Sequence, residues 1–144
     1  MFKKILFPVD LGNLESQEKA RLRALQMAEL CGSELHVLSV VAVTGLHAAD
    51  MYLPDDLEKK LIEQAQADLH AYAAEQLARD GLHVNAAVAE GTIYKEILSY
   101  AETHGINLIV LASHRPELSD YLIGPNAARV VRHANCSVIV IRGD

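Results

Sequence analysis

Short apolar segments typical of β-strands alternate along this chain with amphipathic segments typical of α-helices. The strand-like segments are 5–10, 35–41, 82–90, 108–111 and 137–141, and helical patterns lie between them. Strands joined by helical crossovers run parallel, and a parallel sheet needs helices on both of its faces. The order therefore predicts a doubly wound α/β fold, a three-layer sandwich around a five-stranded parallel sheet.

The length of the chain and the spread of its charges narrow the class of protein further. A chain of 144 residues is long enough for one well-buried core, so we expect a single domain over 1–144. The net charge of −6 comes without any basic cluster of the kind that binds nucleic acid. No apolar stretch approaches the roughly 20 residues that cross a bilayer. The sequence thus predicts a cytoplasmic protein that binds neither nucleic acid nor membrane.

Cysteines and histidines raise the question of metal or redox chemistry. Cys31 and Cys136 stand far apart among apolar neighbours, so we expect buried free thiols rather than a redox or zinc pair. The seven histidines include no i, i+4 pair and no grouping with carboxylates at ligand spacing. We therefore expect neither a metal site nor a catalytic residue.

The segment 106–126 joins a buried strand, a polar loop and the start of a helix. Gly124 and Pro125 form a helix-start signal, and the apolar spacing that follows predicts that Val130 and Val131 are buried. The first turn of a helix carries N–H groups without intrahelical partners, and these groups favour an anion. A phosphate group, if the protein binds one, is expected here.

Asp10 closes the first strand, at the end where parallel sheets bind their ligands. Its carboxylate either faces a ligand crevice or belongs to the turn that ends the strand. The residues around it do not decide between the two.

Capping residues predict where two helices begin and end. Ser16 is available as the N-cap of a first helix over 16–31. The helix after the loop 42–54 is predicted to end at Asp80 and Gly81. That loop is long enough to cover a site or to contact another protein.

Several motifs together resemble the universal stress protein family over nearly the whole chain. They are Lys4-Ile5-Leu6-Phe7-Pro8-Val9-Asp10, Glu90-Gly91-Thr92, Ala112-Ser113-His114-Arg115, Gly124-Pro125-Asn126-Ala127 and the stretch 130–142. That family has a Rossmann-like sheet of the adenine nucleotide alpha hydrolase-like type, has ATP-binding and non-ATP-binding branches, and commonly dimerises through its last strand. The resemblance implies a stress-response homodimer with ATP, AMP or ADP as its cofactor and Mg²⁺ as a candidate ion beside the phosphates.

The resemblance also implies which residues form the two sites. Adenine and ribose are expected near the end of the first strand, and phosphates between the loop after Leu111 and the last helix. The implied nucleotide-binding residues are Pro8, Val9, Asp10, Val40, Leu111, Ala112, Ser113, His114, Arg115, Gly124, Pro125 and Asn126. The implied dimer interface is Val138, Ile139, Val140 and Ile141.

Three substitutions depart from the family's nucleotide motif, in which glycines and a serine or threonine surround the phosphates. Ala112 and Arg115 replace two glycines, the spacer is one residue short, and Pro125 replaces the hydroxyl residue after Gly124. Arg115 either blocks the phosphates or replaces backbone donors with a bidentate contact. His114 either donates to a phosphate or lies in solvent. The missing N–H of Pro125 should weaken binding by roughly ten- to a hundredfold.

Three functions fit this sequence. The first is a stress-response protein that binds ATP and acts through a conformational change or an unidentified protein partner. The second is a nucleotide-independent dimeric interaction module that has lost the ATP site. The third is a slow ATP hydrolase, for which Asp10 is the evident metal-holding residue.

Overall fold

A computed structural model describes residues 1–42, 55–113 and 124–143 of the chain. The strands in these ranges are β1 (Lys4–Pro8), β2 (Glu34–Val41), β3 (Val84–Glu90), β4 (Leu108–Ser113) and β5 (Ser137–Arg142). The helices are α1 (Glu18–Cys31), α2 (Asp55–Gln76), α3 (Ile93–His104) and α4 (Pro125–His133), and a 3-10 helix (Glu15–Gln17) precedes α1. None of the helices in the described ranges is both long and apolar enough to cross a bilayer.

The strands form one parallel sheet in the order β3-β2-β1-β4-β5. One face packs against α1 and α2, and the other packs against α3 and α4. The buried side chains follow the pleat, since Ile5 and Phe7 of β1 join the first layer and Leu6 joins the second. The predicted class, a doubly wound three-layer sandwich, is confirmed, with β3 and β5 at the two edges.

The centre of the sheet opens at its carboxyl edge because β1 and β4 separate early. Within the described residues, β1 pairs with β4 at Ile5 and Leu6 alone. Alternation along the strand turns the nitrogen of Pro8 toward β4, and a proline nitrogen has no hydrogen to donate. On its other side β1 stays with β2, and the Val9 N–H still donates to the Leu38 carbonyl at 2.8 Å. The strand order also reverses between β1 and β4, which is where open α/β sheets bind ligands.

The start of α1 differs from the prediction. The helix begins at Glu18 after the 3-10 helix, and Gln17 holds the N-cap position. Ser16 instead donates its hydroxyl to the Asn13 carbonyl at 3.0 Å. The prediction of Ser16 as the N-cap is therefore wrong, because this serine bonds to the preceding turn and not to the N–H groups of the helix.

The end of α2 also differs from the prediction. The helix ends at Gln76, before the Asp80 and Gly81 that were expected to terminate it. The Arg21 guanidinium on α1 donates to the Gln76 carbonyl at 2.6 Å, and Leu77 is fully buried in the core. A contact from another helix thus binds the last carbonyl of α2, and the helix ends before the local stop signal.

Three apolar side chains are more exposed than their patterns predict. Val130 of α4 is fully buried, but Val131 is 46% exposed. The short α4 packs mainly against α3 and β4, so one face of the helix is covered. Cys31 and Cys136 are free thiols as expected, but both are half-buried, not buried.

A polar cluster, the His36 cluster, lies near the amino edge of the sheet between β2 and α3. His36 is buried, with Nδ1 2.6 Å from the Tyr100 hydroxyl and Nε2 2.7 Å from a carboxylate oxygen of Glu34. The Asn85 amide donates to the same Glu34 oxygen at 2.7 Å, and the Tyr100 ring stacks on His104. Burial lowers the pKa of His36, although Glu34 opposes this shift. A neutral imidazole that accepts from Tyr100 at Nδ1 and donates to Glu34 from Nε2 satisfies both ring nitrogens.

Candidate functional site

A cleft of about 430 Å³ opens at the carboxyl edge of the sheet, where β1 and β4 separate. Its volume lies in the range of small-molecule sites. The lining residues that the sequence predicts for a nucleotide site are Pro8, Val9, Asp10, Val40, Leu111, Ala112, Gly124, Pro125 and Asn126. Those that sequence reasoning missed are Gln17, Leu38, Ser39, Ala42, Ile93, Ile97 and Ala127.

Asp10 takes both of the roles that its position at the strand end allows. It lines the cleft, and its Oδ1 accepts the Gly12 N–H at 3.0 Å within the turn. Gln17 holds this loop in place, since its Oε1 accepts the Asp10 N–H at 2.8 Å. Its Nε2 donates to the carbonyls of Asp10 at 2.8 Å and Asn13 at 2.7 Å. A buried, fully bonded amide therefore fixes where Asp10 stands in the cleft.

The peptide groups of Val40 face the cleft. Successive residues of a strand direct their N–H and C=O groups to opposite neighbours. On β2 the Leu38 carbonyl accepts from Val9 on the β1 side, and the Val41 carbonyl accepts from Gly91 on the β3 side. Val40 alternates with Leu38 toward β1, but β1 has already ended there. A donor and an acceptor thus lie side by side at the cleft, an arrangement that can pair with the edge of a flat heterocycle.

The N-terminus of α4 forms another wall of the cleft. Gly124 is the N-cap in an extended conformation and Pro125 is the first helical residue, so the predicted helix start is confirmed. No described side chain caps this end. The first helical bond runs from the Ala128 N–H to the Gly124 carbonyl at 2.9 Å, and the N–H groups of Asn126 and Ala127 precede it. These two donors and the helix dipole favour a negative group at this wall.

The remaining predicted residues lie beside the cleft lining or outside the described ranges. Ser113 ends β4 opposite Arg142 of β5, and its carbonyl accepts the Gly143 N–H at 3.2 Å. The structure does not place Ser113 in the lining. His114 and Arg115 lie outside the described residues, as do residues 43–54 of the long loop. Their roles stay predictions.

Most of the described residues that line the cleft are apolar. Ile93, Ile97, Leu111 and Ala127 give the α3 and α4 side of the cleft an apolar wall. Asp10 carries the one charged side chain among the described lining residues. In the ranges that the structure covers, no cluster of three or more His, Cys, Asp or Glu residues is arranged to hold a metal ion. The cleft is thus suited to a flat, partly apolar molecule with an anionic end.

These features define a doubly wound α/β protein with a cleft at the point where the strand order reverses, which is where open α/β sheets bind ligands. A family model for the universal stress protein family matches residues 1–142, and the chain belongs to that family. The resemblance carried by the sequence motifs is thereby confirmed.

Relatives in different organisms match almost the whole length of the chain. Universal stress protein G of Shigella flexneri is 34% identical over 146 residues, which span 99% of this chain and 100% of that protein. The solved structure of protein MJ0577 of Methanocaldococcus jannaschii matches with a TM-score of 0.82 at 26% identity, over 100% of this chain and 98% of that chain. A universal stress protein crystallised in complex with cAMP matches with a TM-score of 0.70 over 98% of this chain and 97% of its own. At 15% identity it shows the shared fold alone.

Proposed function

We propose that the protein is a cytoplasmic stress-response protein that binds an adenine nucleotide, acts as a homodimer and signals to an unidentified protein partner. One observation carries the proposal: the Val40 peptide edge and the N-terminus of α4 line the same cleft. The first offers a donor and an acceptor to a base, and the second favours a phosphate. The complex of a universal stress protein with cAMP is in keeping with the proposal, which rests on the cleft of this chain.

The Val40 edge should select adenine over guanine. Adenine presents an acceptor at N1 beside a donor at N6, which complements a backbone N–H beside a backbone C=O. Guanine presents a donor and an acceptor in the reverse order. ATP, ADP and AMP should therefore bind more tightly than GTP.

The phosphates belong at the N-terminus of α4. The N–H groups of Asn126 and Ala127 are available donors there, whereas Pro125 has none. Mg²⁺ prefers carboxylate and phosphate oxygens, so Asp10 is the lining residue that would help to hold it.

Calorimetry and thermal unfolding with ATP and Mg²⁺ test the proposal. A ligand that binds only the folded state increases the free energy of unfolding, by about 2.7 kcal/mol at a ligand concentration of 100 Kd. The melting temperature rises with it. Val40→Pro removes the N–H that faces the cleft and should weaken binding about two- to tenfold, while Val40→Ala keeps that N–H and is the matched control. No heat and no melting shift with ATP, ADP and AMP would refute nucleotide binding.

The homodimer is proposed to form through β5, the edge strand at the end of the sheet. The Ser137 N–H donates to the Asn107 carbonyl and the Gly143 N–H donates to the Ser113 carbonyl, so odd-numbered residues of this segment bond to β4. Val138 and Val140 therefore direct their N–H and C=O groups to the open edge. An exposed edge of this kind is a template for pairing with a second copy.

Proline substitutions separate pairing across the edge from pairing within the sheet. Val140→Pro removes an outward N–H and leaves the ladder with β4 intact, so the dimer should dissociate while the melting temperature of the chain stays nearly unchanged. Ile139→Pro removes an inward N–H and should destabilise the fold itself. Analytical ultracentrifugation gives the mass. A monomeric wild type, or a Val140→Pro variant that stays dimeric, would exclude β5 as the interface.

A nucleotide-independent dimeric module is the alternative function. Pro125 favours it, because this residue removes a donor at the wall where phosphates are expected. The alternative predicts an unchanged dimer together with no heat on addition of any adenine nucleotide.

A further inference from the structure

Two serines near β2 are equally buried but differ in their hydrogen bonds. Ser33 and Ser39 are each 5% exposed. The Ser33 hydroxyl donates to the Phe2 carbonyl, whereas the Ser39 hydroxyl forms no hydrogen bond with any of the described residues. Buried hydroxyl groups without a partner are rare because they lose their bonds to water. The Ser39 hydroxyl is therefore available to a partner from outside these residues.

Ser39 lines the cleft, and Ser33 does not. The pleat of β2 places the Ser39 side chain on the face of Val37, under α1 and α2, while Val40 lies on the opposite face. The cleft thus extends past the carboxyl edge of the sheet toward the α1 side. Ser39 is thus a lining residue of the cleft whose buried hydroxyl has no partner among the described residues.

The other buried polar group on this side of the cleft is already bonded. The Gln17 amide uses its oxygen for the Asp10 N–H and its nitrogen for the carbonyls of Asp10 and Asn13. Ser39 is consequently the buried hydroxyl left free for a ligand among the described lining residues. A hydroxyl both donates and accepts, so it pairs equally with a ring nitrogen or with a sugar hydroxyl.

We infer that the Ser39 hydroxyl is a binding group for the nucleoside part of the ligand in the cleft, an inference that rests on the proposed function. Ser39 stands on β2 next to Val40, whose peptide groups face the base. The phosphates are assigned to α4, a different wall of the cleft. The bond from Ser39 therefore goes to the base or the sugar and not to a phosphate.

Ser39→Ala and Ser33→Ala form a matched pair for the test. Ser39→Ala should weaken the binding of adenosine, AMP and ATP about two- to tenfold, by the same factor for each, because the lost bond does not involve the phosphates. Its melting temperature without ligand should stay unchanged or rise, because an unbonded buried hydroxyl is removed. Ser33→Ala should lower the melting temperature and leave the three affinities unchanged. Calorimetry and thermal unfolding provide both readouts.

The outcomes separate this inference from the function on which it rests. If wild type binds nucleotide and Ser39→Ala binds it equally well, the inference is overturned and the proposed function stands. If Ser39→Ala melts earlier with unchanged affinity, the hydroxyl is bonded to a buried water, and the inference is again overturned. A loss that grows with the number of phosphates overturns the assignment to the nucleoside. If wild type binds none of the three molecules, the proposed function and the inference both fail.

Discussion

Acidification should destabilise the protein through His36. Burial lowers the pKa of this histidine in the folded chain, whereas a histidine in the unfolded chain has a pKa of about 6.5. Below that pH the unfolded chain takes up a proton that the folded chain resists. The free energy of unfolding therefore falls as the pH falls, and the contribution of His36 is complete above the unfolded pKa.

The size of the effect follows from a single proton. One group changes the free energy of unfolding by at most about 1.4 kcal/mol per pH unit. Between pH 7.5 and 5.5 the limit for His36 is thus about 1.4 kcal/mol, since its titration in the unfolded chain begins near 6.5. Tyr100, His104, Lys4 and Glu34 surround the imidazole. Burial raises the pKa of Glu34, but the hydrogen bond from His36 and nearby positive charges outweigh burial and hold this pKa below its ordinary value. The stability that the Glu34 carboxylate contributes is therefore lost at lower pH, where it takes up a proton.

Urea unfolding at pH 7.5, 6.5 and 5.5 measures this effect. His36→Gln keeps a donor and an acceptor in the cluster but does not titrate, so it should lose most of the dependence on pH in this window. His70→Gln removes an exposed histidine of α2 and should keep the dependence of wild type. An equal loss of stability on acidification in wild type and His36→Gln would refute the reasoning.

Three substitutions probe other parts of the structure. Gln17→Ala removes three hydrogen bonds that hold the Asp10 loop, so it should cost about 1–3 kcal/mol in urea unfolding and weaken nucleotide binding in calorimetry. Leu69→Ala should cost about 2–5 kcal/mol because this side chain is 1% exposed, whereas Leu30→Ala, at 83% exposed, should change stability by less than about 0.5 kcal/mol. Gly91 has φ of +140°, and an added methyl carbon would lie 2.7 Å from a carboxylate oxygen, so Gly91→Ala should lower the melting temperature through a cost of about 1–3 kcal/mol.

Local signals were sufficient to predict most of the architecture. Buried parallel strands and amphipathic helices carry different periodicities, which gave the order of elements and hence the three-layer fold. Gly124 and Pro125 marked the start of α4 correctly because a proline at the first helical position costs no hydrogen bond. Position alone pointed to Asp10 and to the segment 106–126, since ligands in parallel sheets bind beyond the carboxyl ends of the strands. The other predicted residues that line the cleft came from the resemblance to the universal stress protein family.

The features that sequence reasoning missed depend on contacts between distant elements. Gln17 appeared to be an ordinary polar residue, and its side chain bonds depend on how the turn after β1 folds back. The end of α2 is set by Arg21 on another helix, which no local stop signal reports. Ser39 lies in an apolar strand, and its missing bond is visible only when its neighbours are in place. Val131 has the apolar spacing of a buried residue, yet no element covers its side of α4 in the described structure.

The central position of β1 has a consequence for synthesis on the ribosome. This strand is made well before one of its two neighbours, β4, which begins only at Leu108. The Asn107 side chain that accepts the N–H groups of Lys3 and Lys4 is made equally late. Until then a strand whose Ile5, Leu6 and Phe7 are fully buried in the folded protein has an open edge, the kind of surface that chaperones cover and on which aggregates form. A transcript truncated before β4 should therefore yield insoluble chains and not a smaller folded protein.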